Sequence, residues 1–245
     1  MKSNIRTNLI YGPELCYVLG ALLGDGCLYY WKRKGKYIIN VSGDKVFTAK
    51  YASKILKCTG IRVKNYINRS RNIWFVNLEN VQLSILFKNI KDNLNILHNL
   101  IKQGDHNKNS LEFIEGFFDA EGCIKIVKEE VRKTPKICLD ITNTNFEIQE
   151  LVKKLLKDSL NIEAKYSNQE SFVGKDGSIR KKVYHLRIYK KDYVKIFFEN
   201  IKTIKLYSDK IPYVENWLKT KNKTTLQLDC SFLQPASNQP HSTNF

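Results

Sequence analysis

A chain of 245 residues has room for one large domain or two of about 100 residues each, and a hydrophobic content of 42% excludes a disordered chain. The formal net charge of +17 and pI near 9.5 point to an anionic partner, nucleic acid first, with an evident enrichment in Lys, Asn and Ile as a compositional source for part of that charge. No stretch approaches the roughly 20 apolar residues of a membrane span, and residues 1–8 carry no apolar signal core, so an intracellular chain without a membrane partner is expected.

In chain order, strands are predicted over 27–32 and 37–42 around a turn at 33–36, followed by a helix over 45–59 that stops at Gly60. Strands over 61–68 and 73–77 flank the turn 69–72, and helical segments run over 81–101. The segment 103–110 is polar, contains Gly104 and ends in an Asn/Ser capping signal, so it reads as a linker. The order then recurs. A helix over 111–121 leads to strands over 123–129 and 136–142. A helix over 146–160 follows, with Asn145 as its N-cap. Strands over 163–170 and 182–189 enclose a loop at 173–178, and closing helices run over 192–221. The chain thus divides into a first half (1–102), a linker (103–110), a second half (111–222) and a tail (223–245). The tail reads as a flexible appendage, since 226–245 contains no Lys or Arg and is rich in Pro, Ser and Asn.

Two segments carry the repeat. Val18-Leu-Gly-Ala-Leu-Leu-Gly-Asp-Gly-Cys27 and Ile114-Glu-Gly-Phe-Phe-Asp-Ala-Glu-Gly-Cys123 both have Gly third, a small residue seventh, an acid eighth and Gly-Cys after it. Gly26 and Gly122 are 96 residues apart (122 − 26), which indicates a duplicated domain and not a solenoid of short repeats. Each half reads as αββαββα, an α+β fold whose hairpins are joined by a helix. Gly20 and Gly24, like Gly116 and Ala120, lie four apart on one helix face, where small residues let two backbones approach. Leu19, Leu22, Leu23, Ile114, Phe117 and Phe118 would bury into each half's own core. Asp25 and Glu121 stand at helix C-termini, where the helix dipole disfavours negative charge. Together they repel further, and a bound divalent cation would relieve both problems.

These paired segments resemble the LAGLIDADG motif of homing endonucleases, in the form where one chain carries two pseudo-symmetric halves. The resemblance spans about 12–220 and implies motif helices packed along a pseudo-twofold axis, with two four-stranded antiparallel sheets forming a DNA-binding saddle. It implies a monomer that hydrolyses both strands of a long asymmetric DNA target with Mg²⁺, for which Ca²⁺ or Mn²⁺ can substitute in the site. Asp25 and Glu121 would be the catalytic metal ligands, with Gly24 and Ala120 beside them. The family also places a polar or basic residue at the end of each second strand, matched here by Lys45 and Asn143. Asp44 departs from that pattern. Asp119, whose counterpart is Leu23, reads as structural or capping.

A β-ribbon fits the major groove, and alternate residues of a strand face it. Counted from the motif glycines, the DNA-facing set of the first half is Tyr29, Trp31, Arg33, Ile38, Asn40, Arg62, Lys64, Tyr66 and Asn68, with Arg69 and Arg71 at a hairpin tip. In the second half it is Lys125, Val127, Cys138, Asp140, Lys165, Ser167, His185 and Arg187, with Lys175, Arg180 and Lys181 suited to phosphates. A register slip of one would turn Trp31 inward and Tyr30 outward. The six cysteines (Cys16, Cys27, Cys58, Cys123, Cys138 and Cys230) show no C-x-x-C or zinc spacing and read as small buried hydrophobes. His98, His106, His185 and His241 are scattered. No P-loop, dinucleotide glycine pattern or Ser/His/Asp elbow occurs. Two other functions share the fold: an RNA maturase acting on intron RNA, and a non-catalytic DNA-binding protein. The two retained acids favour the nuclease.

Overall fold

A computed structural model describes residues 9–127, 136–173 and 177–220. The predicted tail (223–245), Lys175, Cys230 and His241 lie outside the described residues.

Helix α1 (Pro13–Asp25) leads without a loop into β1 (Gly26–Trp31), a short 3-10 turn (Lys32–Lys34) and β2 (Lys36–Gly43). Gly35 closes the turn in the left-handed region at φ 59°. Helix α2 (Lys45–Thr59) is capped by Asp44, whose carboxylate accepts from Phe47 N at 2.8 Å, and stops at Gly60. Capping accounts for the departure at Asp44. Strands β3 (Asn65–Asn68) and β4 (Ile73–Leu78) follow, then α3 (Val81–Asp92) and α4 (Leu94–Lys102). The second half repeats this with α5 (His106–Glu121), β5 (Gly122–Val127), β6 (Lys136–Asn143), α6 (Phe146–Leu160), β7 (Lys165–Gln169) and β10 (Val183–Ile188). A small hairpin, β8 (Phe172–Val173) with β9 (Ile179–Arg180), lies between β7 and β10. Helix α7 (Lys191–Asn200), a 3-10 turn (Ile204–Tyr207) and α8 (Ile211–Lys219) close the described chain.

Each half therefore holds one four-stranded antiparallel sheet, ordered β1-β2-β4-β3 and β5-β6-β10-β7. The two sheets correspond strand for strand. Gly26 pairs with Val41 as Gly122 pairs with Ile141, and Asn40 pairs with Asn77 as Asp140 pairs with Arg187. One face of each sheet is apolar and buried, carrying Ile39, Val41, Val76 and Leu78 in the first half and Leu139, Ile141, Leu186 and Ile188 in the second. The helices cover these faces.

Helices α1 and α5 make the most extensive contact between elements. The reason is the small-residue face. A Cβ on Gly20 would stand 2.3 Å from Phe113 O, and one on Gly116 would stand 2.1 Å from Tyr17 O. The two backbones touch where side chains would ordinarily separate them. Leu15 to Leu22 are buried all round the helix, as are Phe113, Ile114, Phe117 and Phe118, so this pair is the centre of the core.

Some boundaries differ from expectation. Helix α5 begins at His106, inside the segment read as linker, because Asp105 caps it by accepting from Lys108 N at 3.0 Å. Arg62 and Lys64 precede β3 in irregular chain, so neither is a strand residue, whereas Arg33 lies on the 3-10 turn, within the expected turn 33–36. Cys27 is exposed, unlike buried Cys16, Cys58 and Cys138.

Candidate active site and nucleic-acid interface

The catalytic candidates are fixed by an abrupt change of geometry. Asp25 is the last helical residue of α1 and Gly26 the first strand residue of β1; Glu121 and Gly122 repeat this in α5 and β5. No loop intervenes, because a glycine lets the strand start against the helix it leaves. A Cβ on Gly26 would lie 2.3 Å from Leu22 O, and one on Gly122 would lie 2.3 Å from the Phe118 ring. Helix packing then brings the two ends together. A Cβ on Gly24 would meet the Ala120 Cβ at 2.5 Å and the Glu121 Cγ at 2.9 Å.

The electrostatics follow from that closeness. Glu121 is half-buried, and loss of water followed by the Asp25 charge pushes its carboxyl up to about 7. Asp25 is solvent-facing, yet the protein around it removes enough water to raise it above the usual carboxylate range. One cation opposes both shifts. Lys205, on the 3-10 turn after α7, draws both carboxyls back toward ionisation. Asn143 contributes too, donating from Nδ2 to Glu121 Oε1 at 3.0 Å while its Oδ1 accepts from Asn145 N at 2.8 Å. A cleft of about 410 Å³ opens beside the acids, lined among others by Gly24, Lys91, Glu121, Thr142 and Asn143.

Lys45 opens α2 and lines a cleft with Lys202, Ile204 and Tyr207, the segment that carries Lys205. Capping by Asp44 turns the chain into α2, and the Lys45 ammonium lies 5.5 Å from the Trp74 ring centroid. By strand register the counterpart of Asn143 is Gly43, two residues past the partner of the motif glycine, so the first half has no equivalent amide.

Sequence reasoning missed Lys205 and the structure that carries it. Asp119, wholly buried, accepts from Tyr17 Oη at 2.8 Å, Lys50 Nζ at 2.7 Å, Thr203 Oγ1 at 2.5 Å and Ile204 N at 2.9 Å. Lys50 also reaches Glu115 Oε1 at 2.8 Å and the Lys202 carbonyl at 2.8 Å, and Glu115 accepts from Lys202 N at 3.0 Å. A lysine of the first half thus binds two acids of the second and the turn leading to Lys205. The available signal was the Asp119/Leu23 asymmetry, which marked Asp119 as structural.

On the sheets, the open face of the first carries Tyr29, Trp31, Asn40, Tyr66 and Asn68, with Phe75 and Asn77 of β4. Trp31 pairs with Lys36 and is 37% exposed, so no slip occurs. Arg69 and Arg71 are exposed at the β3–β4 turn, and Arg62, Lys64 and Arg33 are exposed off the strands. Three expected DNA-facing residues are corrected. Ile38 is on the open face but 3% exposed, covered in a cleft with Tyr29, Trp31, Tyr66 and Phe75. Cys138 is 1% exposed, under neighbours that include Tyr189. Asp140 is 0% exposed and ion-paired: Lys125 contacts it directly, His185 Nδ1 lies 3.1 Å away and Arg187 Nε 3.4 Å. A strand residue on the correct face is still buried when longer neighbours close over it. Val127, Lys165 and Lys181 are exposed; Ser167, His185 and Arg187 are half-buried. Arg180 lies on β9.

Residues 108–202 match the family model of a LAGLIDADG-like domain. That match begins in α5, spans the second motif and sheet, and is repeated in architecture by the first half. The second half carries a LAGLIDADG-like domain. An uncharacterized protein of Methanocaldococcus jannaschii, MJ0398, is 26% identical over 204 residues, covering 82% of this chain and 67% of that protein. Among solved structures, the homing endonuclease I-DmoI in mesophilic variants aligns with TM-score 0.52 and 21% identity, over 78% of this chain and 96% of that one. I-DmoI in complex with DNA and Ca aligns with TM-score 0.52 and 20% identity, over 78% and 91%. The I-LtrWI LAGLIDADG homing endonuclease bound to target DNA aligns with TM-score 0.50 and 13% identity, over 84% and 91%. These likenesses show that the LAGLIDADG fold extends over both halves.

Proposed function

We propose that this LAGLIDADG protein is a site-specific double-strand DNA endonuclease of the homing type, acting as a monomer with a divalent cation on a long asymmetric target and promoting the mobility of a host intron. The observation that carries this reading is the convergence of two acids, one from each half, with Glu121 held up to about 7 by burial and by Asp25. Such a pair is costly to keep ionised unless a cation shares it. Among the described residues no group of three or more His, Cys, Asp or Glu is placed to hold a metal ion. Two carboxylates suit a hard cation that keeps waters and takes phosphate oxygens, which describes Mg²⁺ better than a caged zinc. Asp25 and Glu121 would hold it, with the backbone at Gly24 and Ala120 beside them. When bound, the cation would activate the attacking water and stabilise the leaving 3′ oxygen.

The chain's own residues do the rest. Asn143 orients the Glu121 carboxylate through its 3.0 Å hydrogen bond. Lys205 supplies positive charge to both acids and, with DNA in place, to the negative charge developing on the phosphate. Exposed Arg69 and Arg71 contact phosphates, and the open sheet faces read bases.

The test is Mg²⁺-dependent cleavage of a plasmid bearing a target recovered by binding selection. Wild type should linearise it. Asp25→Asn and Glu121→Gln should each lose cutting by at least about 100-fold while retaining DNA affinity, as expected when transition-state interactions are removed. Tight, specific binding by wild type without cleavage would sink the nuclease and leave a maturase or a non-catalytic DNA-binding protein.

A further inference from the structure

The two sheets superpose in register but not in chemistry. Their corresponding positions can be read off the strand pairings. Asn40 and Asn77 in the first sheet occupy the places of Asp140 and Arg187 in the second. Tyr29 matches Lys125, Phe75 matches His185 and Tyr66 matches Ser167. At each of the first four positions a neutral side chain in one half faces a charged or titratable one in the other.

In the second sheet, buried Asp140 organises the surface. It lies on the inner strand β6, opposite Arg187 on β10 and one diagonal step from both Lys125 on β5 and His185. A carboxylate at the centre of a DNA-facing sheet would repel phosphate if it were free. Held inside, it gathers Lys125, in direct contact, and Arg187, whose Nε lies 3.4 Å away as an ion pair without a hydrogen bond. Arg187 is steadied further by donating to Tyr189 Oη at 3.3 Å. Lys125 keeps 43% and Arg187 25% of its side-chain surface exposed, and both cations are donors only. In the major groove, donor-only side chains match guanine, which presents O6 and N7 as two acceptors.

In the first sheet the central ion pair is replaced by an amide pair. Asn40 Nδ2 donates to Asn77 Oδ1 at 2.8 Å, which leaves an Asn40 carbonyl oxygen and an Asn77 amino group side by side. One acceptor beside one donor matches adenine, which presents N6–H₂ and N7. Around them stand Tyr29, Trp31, Tyr66 and Phe75, apolar surface suited to thymine methyl groups. The strand cation nearby, Lys36, is already paired with Glu79 at 2.7 Å.

We propose that the two halves read base pairs of opposite character: the first sheet an A·T-rich half-site through Asn40, Asn77 and their aromatic neighbours, the second a half-site with guanines read by Arg187 and Lys125, which Asp140 positions. This rests on the DNA-binding reading above and specifies its target class.

The experiment is selection of the full chain on duplexes with a long randomised stretch, in metal-free buffer, so that binding is read without catalysis. One flank of the recovered sequences should be enriched in A·T and the other should retain guanines. Arg187→Ala should weaken the selected target about tenfold and relax preference at one base pair of the guanine flank only, the usual effect of losing a bidentate contact. Asp140→Asn, whose fold is checked by thermal melting, should relax the same flank and leave the other unchanged. Asn40→Asp combined with Asn77→Arg should introduce guanine into the former A·T flank. Two flanks of equal composition, or an Arg187→Ala effect on the A·T flank, would overturn the proposal. Cleavage of the selected duplex with Mg²⁺ separates the two readings. Cutting at a target of uniform composition overturns this inference alone. Asymmetric binding without cutting overturns the nuclease alone, and failure to enrich any duplex overturns both.

Discussion

Glu121 is a residue whose position works against its own ionisation. Its carboxyl is raised from 4.5 to about 7, so the folded protein binds a proton more tightly than the unfolded chain does. For a raised acid, that contribution to stability is complete below about 4.5 and is lost as pH rises through about 7. The metal-free protein should therefore lose Tm as pH rises from about 4.5 to about 7 and level off above it. Glu121→Gln, neutral at every pH, should flatten that decline. Ca²⁺ should raise Tm more at pH 8 than at pH 5, because the cation needs the ionised pair. An identical pH profile in wild type and Glu121→Gln would sink this account. Lys50 is the other decisive single residue. Its ammonium holds Asp119 and Glu115, and Lys50→Ala would strand both acids in a nearly dry seam. A loss of about 3–5 kcal/mol is expected from urea denaturation, the usual result of removing one partner of a buried pair. Lys50→Ala should also release the Lys202–Ile204 turn and, with it, Lys205.

At the scale of elements, the seam between α1 and α5 sets what the protein tolerates. A methyl on Gly116 would lie 2.1 Å from a backbone oxygen, which no rotamer change relieves. Gly116→Ala should cost roughly 3 kcal/mol or more by forcing the helices apart, whereas Gly104→Ala, in open space at φ +70°, should cost only about 1 kcal/mol. Equal midpoints for the two variants would show that the seam can relax. The seam was legible in the sequence, because small residues spaced four apart beside a terminal acid form a local pattern. Strand parity was legible for the same reason: Tyr29, Trp31 and Asn40 lie on the expected face. What was not legible depends on contacts distant in sequence. Whether Ile38, Cys138 or Asp140 is reached by solvent depends on side chains of other strands closing over it. Lys50 meets Asp119 across 69 residues and Lys202 across 152, distances at which no periodicity carries information. Lys45 was expected at a strand end and stands instead in the first turn of a helix capped by Asp44, because the sequence position alone does not say whether a strand end or a helix cap prevails.

The whole molecule carries +17, unevenly expressed: the central strands of its first sheet are nearly neutral and those of its second are held around a buried acid. Phosphate contacts should dominate affinity, so log K against log salt should fall steeply and linearly, and Arg69→Ala with Arg71→Ala should reduce that slope by about two. An unchanged slope would place those arginines off the DNA. The arrangement of core and surface has a further consequence. The most extensive contact between the halves lies along the buried α1–α5 seam, while Tyr29, Tyr66, Asn77 and Lys165 project from the opposite face of the sheets. If the open faces read DNA as proposed, substitutions there change what is recognised and leave the core as it was. A lineage built this way can drift from one target to another through folded intermediates, each as stable as its parent, while the two touching backbones of its seam admit almost no change at all.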